Sequence, residues 1–80
     1  MSNQVAPDEV GIVFGANVRA RRLKLGLTQD ELAGRLGVYA PYISAIESGT
    51  RTCRLQNVVL FAEALETTAA ALLKEPKKSA

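Results

Sequence analysis

The sequence lacks histidine and tryptophan entirely, and Cys53 is its single cysteine among 80 residues. The absence of histidine removes the most common general base and the most common zinc ligand, and one cysteine without a histidine partner is a poor nucleophile candidate. The closest acidic pairs, at positions 8–9 and 30–31, are sequence neighbours whose side chains diverge on a helix. We therefore expect neither an enzyme nor a protein that needs a metal or another cofactor.

Long hydrophobic runs and secretion features are also missing. No apolar stretch approaches the roughly 20 residues that span a bilayer, and positions 1–8 lack the basic start and apolar stretch of a signal peptide. A single cysteine cannot form an intramolecular disulfide, so nothing indicates an oxidising compartment. These absences predict a cytoplasmic protein without a membrane partner. For Cys53, a small semi-buried position is favoured over a redox sensor.

Charge is concentrated in the middle of the chain. The formal net charge is only +2, but positions 16–54 hold seven basic residues against three acidic ones. Such a basic patch suits a polyanionic partner, although a solvated helix face gives the same count. Eighty residues allow one domain that is close to the lower limit of independent stability, so dimerisation would add stability.

Hydrophobic periodicity and capping residues predict short helices and no strand. The expected helices are one from an N-cap at Asp8 to a stop at Gly26, two more over 28–36 and 39–48, a fourth over 55–65, and a fifth over 69–74. Gly11 and Gly15 are expected only to weaken the start of the first helix. We expect residues 1–8 to be a flexible arm, 9–74 to be the domain, and 75–80 to be a frayed tail.

The second and third helices are joined by a tight turn. Thr28 and Glu31 have the spacing of a capping box, which fixes the start of the second helix. Gly37 permits a sharp turn at its end. Pro41 is tolerated only in a first helical turn, so the third helix starts near Tyr39. A pair of this shape is a helix-turn-helix, whose second helix fits the major groove of DNA.

A set of short motifs runs in a fixed order from Phe14 to Leu73. The set comprises Val18-Arg19, Arg22, Gly26-Leu27-Thr28-Gln29, Glu31-Leu32-Ala33, Gly37-Val38, Ile43-Ser44, Ile46-Glu47, Gly49, Ala62, Leu65 and Leu72-Leu73. Together, in this order and spacing, the motifs resemble the lambda-repressor-like helix-turn-helix family, the Cro/CI or XRE type. The run Tyr42-Ile43-Ser44 and the short length resemble the controller proteins of restriction–modification systems.

The resemblance implies an all-α, compact five-helix lambda-repressor-like domain that binds double-stranded DNA. It also implies a transcriptional regulator, a repressor or controller, that acts as a homodimer on a palindromic operator in a prokaryotic cell, close to the nucleoid. The alternative is an antitoxin-like protein-interaction module that binds a toxin or a polymerase subunit and binds DNA only secondarily. A large apolar surface outside the core would favour this alternative, with candidates at Tyr39, Tyr42, Val59, Leu60 and Phe61.

The resemblance also assigns roles to individual positions. Gln29, which opens the second helix, would bind a DNA phosphate, and Arg22 with Glu47 would form a structural ion pair. The full set assigned to DNA contact is Thr28, Gln29, Tyr39, Ala40, Pro41, Tyr42, Ser44, Ala45, Ser48, Thr50, Arg51 and Arg54. For Gln29 and for the two arginines, an exposed and merely solvated side chain is the competing interpretation.

The assigned recognition positions predict an unusual base readout. Ala40, Pro41 and Ala45 carry no side-chain donor or acceptor, so they pack against thymine methyl groups rather than bind guanine or adenine edges. Tyr42 and Ser44 remain as polar readers, with Tyr39 or Arg54 as the alternatives from the flanks. We therefore expect T-rich half-sites and a dependence on the shape of the uncontacted centre of the operator.

Overall fold

The computed structural model describes residues 7–75, which form five helices and no strand. The helices are α1 (Pro7–Lys24), α2 (Gln29–Leu36), α3 (Ala40–Glu47), α4 (Leu55–Ala64) and α5 (Ala69–Leu73). The predicted all-α five-helix class is confirmed. The sequence predicts an arm over residues 1–8 and a tail over 75–80; residues 7 and 8 instead form the start of α1, and residues 1–6 and 76–80 lie outside the described residues.

The start of α1 differs from the sequence prediction. The helix begins at Pro7, so Asp8 lies inside its first turn, and the prediction of an N-cap at Asp8 was wrong. Proline is favoured in a first turn because its missing N–H has no helical partner there. At the other end α1 stops at Lys24, and Gly26 adopts a φ of 72°, which lets the chain turn sharply towards α2.

One apolar core receives side chains from all five helices. Its members are Phe14, Val18, Leu32, Ala33, Ile43, Ile46, Val58, Phe61, Ala62, Leu65 and Leu72. The rings of Phe14 on α1 and Phe61 on α4 meet edge to face, with centroids 5.4 Å apart. Complete burial of a large apolar side chain contributes about 1.5–3 kcal/mol. Because Ile43 and Ile46 are both buried in this core, α3 is held with their side of the helix facing inward.

Gly15 is the point of closest approach between α1 and α3. A Cβ atom at this position would lie 2.0 Å from the carbonyl oxygen of Ile46 and 3.1 Å from that of Glu47. Gly11 faces the loop after α3 in the same way, because its Cβ would lie 2.7 Å from Thr52 Cγ2. Gly15 therefore does more than weaken α1, because it lets the helix backbone pack directly on the end of α3, while Gly11 leaves room for the Thr52 side chain of the following loop.

The junction of α4 and α5 is held by side chains from α1. Arg21 Nε donates a hydrogen bond to the carbonyl of Leu65 at 2.8 Å, and Asn17 Nδ2 donates to that of Leu72, also at 2.8 Å. These donors satisfy carbonyl groups that the helix ends leave without a helical partner. Between the two helices, Glu66 adopts a φ of 59°, which closes the turn. Helices α4 and α5 are thus attached to α1, on which α3 also packs.

The capping box at the start of α2 is expected to stabilise the protein. Thr28 Oγ1 accepts from the Glu31 amide at 3.0 Å, and Glu31 returns the bond to the Thr28 amide at 2.8 Å. Thr28→Ala is expected to lower the free energy of unfolding by about 1 kcal/mol, because the Glu31 amide loses its acceptor. Thr28→Ser keeps the hydroxyl and is the control. Equal urea unfolding curves for the two variants would contradict this prediction.

Candidate nucleic-acid interface

A short turn sets α3 across α2. Gly37 ends α2 with a φ of 71°, and the next amide, of Val38, donates to the carbonyl of Ala33 at 3.0 Å. Tyr39 occupies the N-cap position of α3 without forming a side-chain capping bond, and Pro41 is in the first turn. The helix-turn-helix bounds agree with the sequence prediction. Pro41 has no N–H and the Tyr42 amide donates to the Tyr39 carbonyl at 3.0 Å, so the start of α3 offers few backbone donors to an acceptor.

Helix α3 has an inward apolar face and an outward polar face. Ile43 and Ile46 are fully buried, whereas Pro41, Ser44 and Ser48 are exposed on the opposite side. The other positions that the sequence assigns to DNA contact on this helix, which are Ala40, Tyr42 and Ala45, are half-buried. The outward face is therefore a narrow strip of small side chains.

A buried ion pair joins α1 to the end of α3. Arg22 Nε lies 2.6 Å from Glu47 Oε2, and Arg22 Nη2 donates to Glu47 Oε1 at 3.0 Å. The side chains are only 9% and 3% exposed. The hydrogen bond to Glu47 raises the pKa of Arg22, while burial acts in the opposite direction. A further bond from Arg22 to the carbonyl of Leu27, at 2.8 Å, extends the network to the α1–α2 turn.

Gln29, the first residue of α2, is held by the same carboxylate. Its Nε2 atom donates to Glu47 Oε1 at 3.1 Å. The amide group is thereby fixed beside the N-terminus of α2, where the unpaired backbone N–H groups favour an anion. Its assigned phosphate contact remains a prediction, but the side chain is oriented by the ion pair rather than free in solvent.

The loop after α3 folds back onto one carbonyl group. The oxygen of Ala45 accepts from the amides of Thr50 at 3.1 Å and Arg51 at 3.2 Å. It also accepts from the hydroxyls of Ser48 at 3.1 Å and Thr50 at 3.2 Å, and these two hydroxyls are 2.9 Å apart. The loop that carries Arg51 is therefore attached to α3 by several bonds, although Thr50 and Arg51 themselves are exposed.

Tyr42 connects Arg51 to the core. The Arg51 guanidinium carbon lies 4.9 Å from the centre of the Tyr42 ring, a cation–π distance, and the same ring packs against Phe61 with centroids 6.2 Å apart. The ring of Tyr42 thus supports an arginine of the loop, and its role as a base reader stays a prediction. Arg54, the N-cap residue of α4, is exposed and faces the same open cleft as Arg51 and Tyr39.

Cys53 also lies in this loop, half-buried against the core. Burial raises the pKa of its thiol, because the thiolate is less well solvated there than in water. The neutral thiol is a weak nucleophile. The position agrees with the structural interpretation of this cysteine that the sequence favours.

Arg19 is a basic residue that sequence reasoning did not assign to the interface. It lines a shallow cleft where α1, the start of α2 and the outward face of α3 meet, together with Gln29, Ser44 and Ser48. A sequence signal was present, because Arg19 precedes Arg22 by three residues and so lies on the same side of α1.

No group of three or more cysteine or acidic side chains within residues 7–75 could hold a metal ion. None of the described helices combines the length and apolar character needed to cross a membrane.

Known proteins resemble this chain in sequence. A family model described as helix-turn-helix matches residues 18–72. The control protein C.BamHI of Bacillus amyloliquefaciens is 37% identical over 59 residues, which cover 72% of this chain and 73% of that protein. An uncharacterised HTH-type transcriptional regulator of Sinorhizobium medicae is 34% identical over 61 residues. The match spans 72% of this chain but only 44% of that longer protein.

Solved structures resemble it in fold as well. The crystal structure of the hypothetical transcription factor NHTF from Neisseria superposes with a TM-score of 0.80 at 30% identity, covering 95% of this chain and 88% of that chain. The P22 c2 repressor, solved in complex with a synthetic operator, superposes with a TM-score of 0.72 at 32% identity. That match covers 79% of this chain and 96% of the repressor. The predicted lambda-repressor-like fold is confirmed.

Proposed function

The chain belongs to the helix-turn-helix family, and on this premise we propose that it is a transcriptional regulator, a repressor or controller, that recognises double-stranded DNA as a homodimer on a palindromic operator. Its place of action would be the nucleoid of a prokaryotic cell. The observation that carries the proposal is the outward strip of α3, which is free of core contacts and is flanked by the start of α2 and by the basic loop 50–54.

The flanking groups would bind the DNA backbone. Gln29 lies at the N-terminus of α2, where backbone N–H groups favour a phosphate, and Thr28 precedes it. Arg51 is exposed and supported by Tyr42, and Arg54 lies at the start of α4. Contacts on both sides of α3 would fix the helix in the major groove without reading the sequence themselves.

The strip itself would read bases mainly through shape and methyl contacts. Ser44 is its polar reader, and Pro41 and Ala45 offer only apolar surface. Tyr42 is less suited to base reading than the sequence suggested, because its ring is packed between Phe61 and Arg51. We therefore retain the expectation of T-rich half-sites and of sensitivity to the shape of the operator centre.

The proposed homodimer has a candidate contact surface on α4. Leu55 is 77% exposed and Val59 is 49% exposed, and their spacing of four residues places them on one side of the helix. Exposed apolar side chains in a small domain favour contact with another protein. A second copy is the simplest partner, since a two-fold dimer would match half-sites spaced about one helical turn, or a multiple of it, along the DNA.

Arg51→Ala is expected to weaken binding to all duplex DNA and to flatten the salt dependence. Each phosphate contact contributes about 0.9 to the slope of log affinity against log salt, so a dimer should lose about 1.8. Non-specific binding is measured with a mixed-sequence duplex, and specific binding with a site selected from a random duplex library. Fluorescence anisotropy over a salt series measures both.

Arg35→Ala is the matched control for this experiment. Arg35 carries the same charge but donates to the Ala64 carbonyl at 2.7 Å, on the side of α2 that faces α4. Its removal should leave the salt slope unchanged. A wild-type protein that binds neither probe, or binds them with no dependence on salt, would overturn the proposed function and favour the protein-interaction module.

A further inference from the structure

The glycine contact between α1 and α3 brings a basic side chain to the recognition helix. Gly15, Arg19 and Arg22 are spaced four and three residues apart, so they lie along one side of α1. Gly15 touches the last turn of α3 and Arg22 binds Glu47 there. Arg19, between them, consequently lies beside the exposed Ser44 and Ser48.

The guanidinium of Arg19 has no partner among the described residues. It is exposed and forms no hydrogen bond or ion pair within residues 7–75. One acidic side chain, Glu47, lines the same cleft, but Arg22 and Gln29 already donate to its two oxygens. By contrast, Arg21 and Arg35 on the other sides of α1 and α2 are bound to backbone carbonyls.

We propose that Arg19 binds a DNA phosphate next to the one assigned to Gln29, so that α1 contributes directly to the interface. The inference rests on the proposed function, since it presumes that α3 lies in the major groove. Arg19 is an unpaired cation beside the outward strip of α3, and the charge of the nearby Glu47 carboxylate is already balanced by Arg22. Such a site attracts a phosphate of the DNA backbone. This contact positions the protein on DNA and does not read bases.

Arg19→Gln tests the proposal against the same two DNA probes. The variant should lower the salt slope by about 0.9 for each protomer, or about 1.8 for the dimer, and weaken binding to the mixed-sequence and selected duplexes by similar factors. Arg19→Lys should restore most of the slope, because a lysine retains the charge. Arg35→Gln is the charge-matched control, and thermal unfolding verifies that all three variants are folded.

The outcomes separate this inference from the function on which it rests. If wild-type binding depends on salt and Arg51→Ala reduces the slope while Arg19→Gln behaves like Arg35→Gln, Arg19 makes no phosphate contact and only the inference fails. If Arg19→Gln weakens binding to the selected site alone, Arg19 reads a base, and the phosphate assignment is wrong. If wild-type protein binds no DNA, both fail together.

Discussion

Glu47→Ala is expected to lower the free energy of unfolding by about 3–5 kcal/mol, the cost of removing one partner from a buried ion pair. The variant would leave the Arg22 guanidinium almost buried, with its bond to the Leu27 carbonyl but without an opposing charge. Gln29 would lose its acceptor at the same time. Since small domains are stable by only about 5–15 kcal/mol, urea unfolding should show a large shift or no folded baseline.

A double-variant cycle separates the pair from its surroundings. Replacing both partners, as Arg22→Met with Glu47→Leu, should recover much of the stability, because no buried charge is then left alone. Arg22→Met alone and Glu47→Leu alone complete the cycle, and each should cost about as much as Glu47→Ala. An unchanged melting temperature for Glu47→Ala would show that water already compensates the pair, contrary to its burial.

Gly15→Ala is expected to destabilise the protein by about 1–3 kcal/mol or more and to weaken DNA binding. The new methyl group would meet the Ile46 carbonyl at 2.0 Å, and both atoms belong to rigid helices, so α1 and α3 must move apart. Such a shift would displace the outward strip of α3 from the phosphate contacts proposed beside it. Urea unfolding and anisotropy with the mixed-sequence duplex measure the two effects.

Gly34→Ala provides the matched control for this substitution. Gly34 is also a helical glycine, in α2, but a Cβ there would have no neighbour within 4 Å. The change should stabilise the protein by about 0.5–1 kcal/mol, because alanine favours the helix more than glycine does. If both variants gained stability, the close approach of α1 and α3 would not be a constraint.

Features that depend on sequence neighbours were predictable. The capping box at Thr28, the turn at Gly37 and the start of α3 before Pro41 are local, because each is decided by residues within four positions along the chain. The Arg22–Glu47 contact was assigned through a family resemblance and not through spacing, since 25 positions separate the two residues. Periodicity alone would not have found it.

Features that depend on packing between helices were not predictable. In the sequence, Gly15 is only a weak helix former. A glycine is needed there because the carbonyl group of Ile46, 31 positions away on α3, lies too close for a side chain. The contact between Tyr42 and Phe61 joins α3 to α4 and has no signal in the spacing of the sequence. Arg19 carried a local signal, since it precedes Arg22 by three residues on α1, but its neighbours in the cleft come from α2 and α3 and only the fold shows them.

Helix α3 separates the requirements of folding from those of recognition. Its attachments use Ile43, Ile46, the Glu47 carboxylate and the backbone carbonyl of Ala45. The side chains of Pro41 and Ser44 form no hydrogen bond with any residue in the described range, so neither supports the body. On the proposed function, substitutions at Ser44 would change the preferred operator in single steps while the domain stays folded. Related regulators in one cell would then diverge in target without passing through unfolded intermediates.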